Sequence, residues 1–185
     1  LSLYSKRPRP CPQRGGPAFF AAIANSRRMR YHGSSFSEGG CIMRIYQAGP
    51  LFSEAEREWH KALKARLLTA GHEVIWPGDL ITQEEIAEWG DEAPARILQR
   101  DLEGIISCKA VVALLDGPQV DDGTAFEIGY AYAKGIPVFG VRTDFRVCGD
   151  TPKGSLNAMI EGSLRGLARS RTELFAMLMT SGDLS

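Results

Sequence analysis

Asp116, Asp121, Asp122 and Glu127 place four carboxylates within twelve residues, in the segment Leu115-Asp116-Gly117-Pro118-Gln119-Val120-Asp121-Asp122-Gly123-Thr124-Ala125-Phe126-Glu127-Ile128-Gly129. Acidic groups this close repel one another, so their pKa values separate and one can hold a proton while another is ionised. Such a cluster suits nucleophilic or acid/base work on an electrophilic carbon. Other uses of the same residues stay open. Asp116-Gly117 and Asp122-Gly123 are turn-forming pairs, and Thr124-x-x-Glu127 has the form of a helix capping box. The aspartates could also hold a divalent cation, although their spacing is not that of an EF-hand loop.

Two residues elsewhere bear on the same chemistry. Asp101 follows Ile97 by four residues and Leu98 by three, and precedes Ile105 by four, which sets it on the apolar stripe of a helix. A buried, unpartnered carboxylate there costs several kcal/mol, so Asp101 needs either a site or a partner such as Arg100 or Lys109. Tyr46 ends a strand-like run and leads into Gln47-Ala48-Gly49-Pro50-Leu51-Phe52. It is either a phenol at the mouth of a cleft or a core-edge tyrosine beside a Gly-Pro turn.

The elements that must position these groups alternate from Met43 onward. Met43–Ala48 reads as a strand, and Ser53–Ala70 as a helix opened by the capping box Ser53-x-x-Glu56, with Trp59, Leu63, Leu67 and Ala70 as its stripe. Glu73–Trp76 is a second strand closed by Pro77-Gly78-Asp79; Thr82–Trp89 and Pro94–Ser107 are helices. Ala110–Leu115 is a continuous apolar run, as expected of a central strand buried on both faces. A helix over Ala125–Lys134, a strand over Pro137–Val141 and a final helix over roughly Leu164–Met179 complete the pattern. This order predicts an α/β protein, a flavodoxin-like or Rossmann-like three-layer sandwich around a central parallel sheet, with ligands bound beyond the carboxyl ends of the strands. No GxxxxGK[ST] loop and no GxGxxG after the first strand is present, which argues against triphosphate hydrolysis and classical NAD binding.

The charge balance divides the chain. Its 22 basic and 22 acidic residues sum to zero, yet residues 1–42 carry seven basic residues and one acidic, and the remainder is correspondingly acidic. The basic segment, rich in Pro, Gly, Ser and Arg, reads as a disordered extension ahead of a single domain over 43–185. An upstream leader explains it best, since the chain begins with Leu and Met43 directly precedes the first strand; a transit peptide and a basic nucleic-acid-binding tail are the alternatives. A composition 44% hydrophobic and 24% charged is that of a soluble globular protein. No apolar run approaches the length needed to cross a bilayer. Four cysteines without a CxxC pair or a histidine at ligand spacing argue against zinc and against a disulfide framework, and fit a reducing compartment, the cytoplasm.

Four segments together resemble the nucleoside 2-deoxyribosyltransferases: Ile45-Tyr46-x-Ala48-Gly49-Pro50-x-Phe52, Asp101-Leu102-x-Gly104-Ile105, Asp121-x-Gly123-Thr124-Ala125-Phe126-Glu127-Ile128-Gly129 and Leu156-Asn157-x-Met159. The resemblance covers about residues 43–160. It implies a retaining transfer of 2-deoxyribose between a 2′-deoxynucleoside and a free nucleobase, with no metal and no diffusible cofactor. Glu127 would be the nucleophile at the anomeric carbon, oriented by Tyr46, and Asp101 would help protonate the departing base. Asp121 would bind sugar hydroxyls, Phe52 would pack against the base, and Gly49, Gly123 and Asp79 would join the substrate-binding set. Asn157 would reach the sugar's 5′ end from a neighbouring subunit, which implies a homo-oligomer. Retaining glycosyl transfer needs just such a carboxylate nucleophile and an acid on the other side of the bond, and a helix N-terminus would help keep Glu127 ionised. Where some members use a glutamine for base recognition, this chain has Ile81, with Gln83 two places on. Relatives that hydrolyse nucleoside monophosphates would need cations near the 5′ end, for which Arg142, Arg146 and Lys153 are candidates; the other reading of each is ordinary surface charge.

Overall fold

A computed structural model describes residues 42–180; apart from Ile42, the basic segment read as an extension lies outside them. Strands β1 (Arg44–Ala48), β2 (Glu73–Ile75), β3 (Ala110–Leu114), β4 (Val138–Val141) and β5 (Gly166–Ala168) form one parallel sheet in the order β2-β1-β3-β4-β5. That is the flavodoxin-like order. The helices are α1 (Glu54–Thr69), α2 (Pro77–Leu80), α3 (Gln83–Trp89), α4 (Ala93–Ile106), α5 (Asp122–Ala133), α6 (Ala158–Ser163) and α7 (Arg171–Thr180).

The two-residue period of the strands sorts their side chains into two layers. Ile45, Ala110, Val112, Phe139 and Val141 pack with Leu63 and Leu67 of α1 and Leu174 and Leu178 of α7. Tyr46, Ala48, Val111, Ala113 and Val138 face the other way, onto Ile105 of α4 and Ile128 and Ala131 of α5. Every residue of β3 is buried, as its apolar run requires. Each fully buried leucine or isoleucine contributes about 1.5–3 kcal/mol toward holding its helix on the sheet. The predicted cap of α1 is present: Ser53 Oγ accepts from Glu56 N at 3.2 Å and Glu56 Oε2 from Ser53 N at 2.7 Å. Its buried face is His60, Leu63 and Leu67, whereas Ala70 is exposed at the helix end.

The structure corrects the sequence reading in three places. Leu164–Met179 is not one helix, because Gly166–Ala168 takes the open edge of β4, with Phe139 opposite Gly166 and Val141 opposite Ala168. Glycine is about 1 kcal/mol poorer than alanine in a helix, so the strand ladder prevails there and α7 starts only at Arg171. The turn at Pro77-Gly78-Asp79 is a single helical turn begun by proline. The helix expected from Ala125 begins at Asp122, capped by Asp121, whose Oδ2 accepts from Thr124 N at 2.9 Å. Thr124 is therefore no cap, and Glu127 is free of the capping role.

Gly104 sets how closely α4 lies on β1. A Cβ there would stand 3.1 Å from Cε2 of the Tyr46 ring and 3.3 Å from Ile75 Cγ2. Tyr46 is fully buried, so its ring has nowhere to retreat. Gly104→Ala gains about 1 kcal/mol of helix propensity but incurs an overpacking cost of about 1–3 kcal/mol. Net destabilisation with reduced activity is expected, read by urea unfolding and by turnover of the same sample.

Candidate active site

The helices that follow β1 and β3, α1 and α5, pack on opposite faces of the sheet although the two strands are neighbours. Chains diverging from adjacent strand ends leave a crevice between them. A cleft of about 910 Å³ opens at that point. Gly49 and Phe52 line it from the loop after β1, Asp79 from α2, Asp101 from α4, Asp121 and Gly123 from the start of α5, and Glu127 from its second turn. Tyr46 lies beneath, the third of the five residues of β1 rather than its last, and is fully buried instead of standing at the cleft mouth.

The centre of the site is a hydrogen bond between segments far apart in sequence. Tyr46 Oη donates to Glu127 Oε1 at 2.6 Å. Burial, and the charge of Glu127 beside it, push the Tyr46 phenol above its ordinary value, so it stays a donor. Burial also pushes Glu127 up to about 8, with the negative charges of Asp101 and Asp121 acting in the same direction and the Tyr46 hydrogen bond opposing them. The α5 N-terminus does not keep Glu127 ionised as expected: the helix begins five residues earlier, the dipole fades within the first turn, and desolvation dominates.

Asp101 is raised by burial as well, with the Tyr46 hydroxyl pulling the other way. Its Oδ1 is buried and has no protein hydrogen-bond partner. The alternative partner Arg100 is engaged elsewhere, donating to Glu85 Oε1 and to Leu80 O, each at 2.9 Å. Two carboxyls inclined to hold protons therefore flank one phenol. The arrangement can present a carboxylate on one side of a bond and a proton donor on the other.

Removing only the phenol oxygen tests this centre. Tyr46→Phe keeps the ring in place but loses the bond that holds Glu127 down, so the rise of kcat/KM with pH moves to higher pH. Activity at pH 7 falls roughly 10- to 100-fold, measured as a full pH–rate profile beside the parent protein.

The remaining cleft residues have definite partners. Asp121 Oδ2 also accepts from Thr124 Oγ1 at 2.9 Å, and Asp79 is ion-paired with Lys64. Gly49 has φ +148°, and a Cβ on it would lie 2.7 Å from the His60 ring, so only glycine fits. Ile81 and Gln83 both line the cleft, as do Arg57, Trp76, Ile86 and Ile97, which sequence reasoning did not single out. Trp76 offered a signal: it stands at the carboxyl end of the strand next to β1. Among the described residues, no group of three or more His, Cys, Asp or Glu is placed to hold a metal ion, and no helix is long and apolar enough to cross a membrane.

A family model described as nucleoside 2-deoxyribosyltransferase matches residues 45–159, which contain the Tyr46–Glu127 pair. The chain belongs to that family. A 2-deoxyribosyltransferase of Bacillus psychrosaccharolyticus is 25% identical with a TM-score of 0.61, over 73% of this chain and 95% of that one. A conserved protein of Enterococcus faecalis is 29% identical with a TM-score of 0.64, over 76% and 99% of the two chains. An uncharacterized protein of Schizosaccharomyces pombe is 34% identical over 110 residues, 56% of this chain and 51% of that protein. The chain thus spans about half the length of that curated relative.

Within this nucleoside 2-deoxyribosyltransferase family chain, Asn157 is the predicted site residue that its own cleft does not contain. It caps α6, with Oδ1 accepting from Met159 N at 3.0 Å and Nδ2 donating to Asp150 Oδ2 at 2.9 Å, beside a separate cavity of about 220 Å³. Arg142 is not surface charge. It is buried, donating to the carbonyls of Leu115, Gly117 and Arg146, and so braces the loops after β3 and β4. Arg146 pairs with Asp144 at 2.6 Å. Neither arginine, nor Lys153, lines the large cleft.

Proposed function

We propose that the protein transfers 2-deoxyribose between nucleobases by a retaining double displacement through a covalent deoxyribosyl-Glu127 intermediate. The 2.6 Å Tyr46–Glu127 hydrogen bond in a cleft shared with a second proton-holding carboxyl carries this reading. The Glu127 carboxylate attacks the anomeric carbon as the C–N bond breaks. The departing base keeps the electron pair of that bond and takes a proton from Asp101. An acceptor base then attacks the same carbon from the face the first base left, giving its N–H proton to the Asp101 carboxylate as the ester bond to Glu127 breaks, which restores Asp101, frees Glu127 and retains the original configuration. Asp121 and Gly123 contact the sugar, while Gly49, Phe52 and Asp79 line the space for the base. Asn157 acts on the site of a neighbouring subunit, which makes the working unit a homo-oligomer. Free Cys108 and Cys148 fit a salvage enzyme of the reducing cytoplasm.

Incubating a 2′-deoxynucleoside with and without a free acceptor base, with products separated by chromatography, tests the reading. A new nucleoside formed only with acceptor is the expected result. Free base released equally fast without acceptor would make the protein an N-glycoside hydrolase, and bound ligand without turnover would make it a binding module.

A further inference from the structure

Helix α1 holds the loop after β1 by three successive carbonyls. His60 Nε2 lies 3.1 Å from Pro50 O, and Arg57 Nη1 donates to Leu51 O at 3.0 Å and to Phe52 O at 2.8 Å. Arg57 and His60 are three residues apart and share one face of the helix. His60 is fully buried, and its Nδ1 stands 2.6 Å from Gln47 Nε2, which also donates to His60 O at 2.9 Å. An amide nitrogen can only donate, so Nδ1 accepts and the ring proton sits on Nε2, aimed at Pro50 O. Burial lowers the His60 pKa to about 4, which keeps the ring neutral and this tautomer in place near neutral pH.

The same imidazole is packed into the cleft's architecture. It stacks on Trp76, a cleft wall, with centroids 5.7 Å apart and planes at 23°, and it fills the space beside Gly49 that a Cβ would need. The loop itself belongs to no helix or strand. Its Phe52 is nonetheless 76% exposed as a residue at the cleft, although burial would favour an apolar side chain. The backbone to which that side chain is attached is what α1 grips.

We infer that Arg57 and His60 are positioning residues that fix the Gly49–Phe52 loop as one wall of the cleft, so that an acceptor base rather than water reaches the sugar-bearing intermediate. This inference rests on the transferase reading given above. Water excluded by a fixed wall cannot compete for a reactive intermediate. Loosening the wall raises the share of water attack and weakens acceptor binding.

Arg57 is exposed, so Arg57→Ala tests the wall without emptying the core. Hydrogen exchange at the amides of residues 51–53 is expected to quicken about tenfold, with the unfolding midpoint little changed. The ratio of hydrolysis to transfer and the KM for acceptor base are each expected to rise roughly five- to tenfold. Arg57→Lys, which keeps one donor, recovers part of each effect. Unchanged exchange, or faster exchange with an unchanged product ratio and KM, overturns the inference. So does an equal fall of both reactions at constant ratio, which marks general damage. A wild-type protein with neither reaction overturns the transferase reading instead, and exchange alone then decides whether Arg57 anchors the loop.

Discussion

Glu127→Gln is expected to lower deoxyribosyl transfer by about 10⁴-fold or more, the scale seen when a nucleophile is removed from an otherwise intact site. The amide has nearly the shape of the carboxylate, and its carbonyl oxygen can still accept from the Tyr46 hydroxyl in place of Glu127 Oε1. It cannot form the ester to the anomeric carbon. A loss of that size corresponds to about 5 kcal/mol of transition-state stabilisation. Incubation of the parent protein with donor alone, followed by intact-mass spectrometry, should show an added deoxyribosyl group absent from the variant. Full transfer activity in Glu127→Gln or Glu127→Ala would remove Glu127 from the mechanism.

The second large effect concerns pH and is read in both activity and stability. Nucleophilic attack needs the carboxylate, and Glu127 is pushed up to about 8 by burial. Departure of the base needs the Asp101 proton as well, so kcat/KM of the free enzyme is expected to be bell-shaped, falling about tenfold per pH unit on either side of its optimum. For stability, the folded-state pKa lies above the unfolded value of 4.5. The folded protein then binds the extra proton between those values, and its stability falls as pH rises from about 4.5 to about 8. At about 1.4 kcal/mol per unit, the loss across that window is on the order of 4 kcal/mol. Glu127→Gln lacks this titration, so the variant should match the parent in urea unfolding near pH 4 and exceed it by several kcal/mol near pH 8.5. Parallel curves for the two proteins across that range would mean that Glu127 is not desolvated in the folded state.

Much of this site could be read from residue types. The alternation of short apolar runs and helical periods led to the layered fold, because β3, buried at every position, and α1, capped by Ser53 and Glu56, follow local rules. Asp101 on an apolar stripe announced a carboxyl needing a site or a partner, and it lines the same cleft as Glu127. The strand Gly166–Ala168 escapes a reading by period because it is three residues long and owes its form to the free edge of β4, a tertiary fact; Gly166 was the one local sign against a helix. The start of α5 was misplaced because Asp121 and Thr124 both carry capping oxygens, and only the fold selects between them. Arg57, His60 and Trp76 went unnoticed for a similar reason: their roles lie in which carbonyls and rings they meet, and no spacing along the chain encodes that. Asn157 was named from resemblance, and its own chain ties it to Asp150 rather than to the cleft.

Tyr46 and Glu127 are 81 residues apart, and they meet because β1 pairs with β3, Tyr46 opposite Val111, across an intervening strand and four helices. Contacts of such separation form late and slowly compared with helices. Activity is therefore a stringent reporter of renaturation. A proteolytic nick anywhere between the two residues leaves the reacting pair on separate pieces, held together by strand pairing and packing alone.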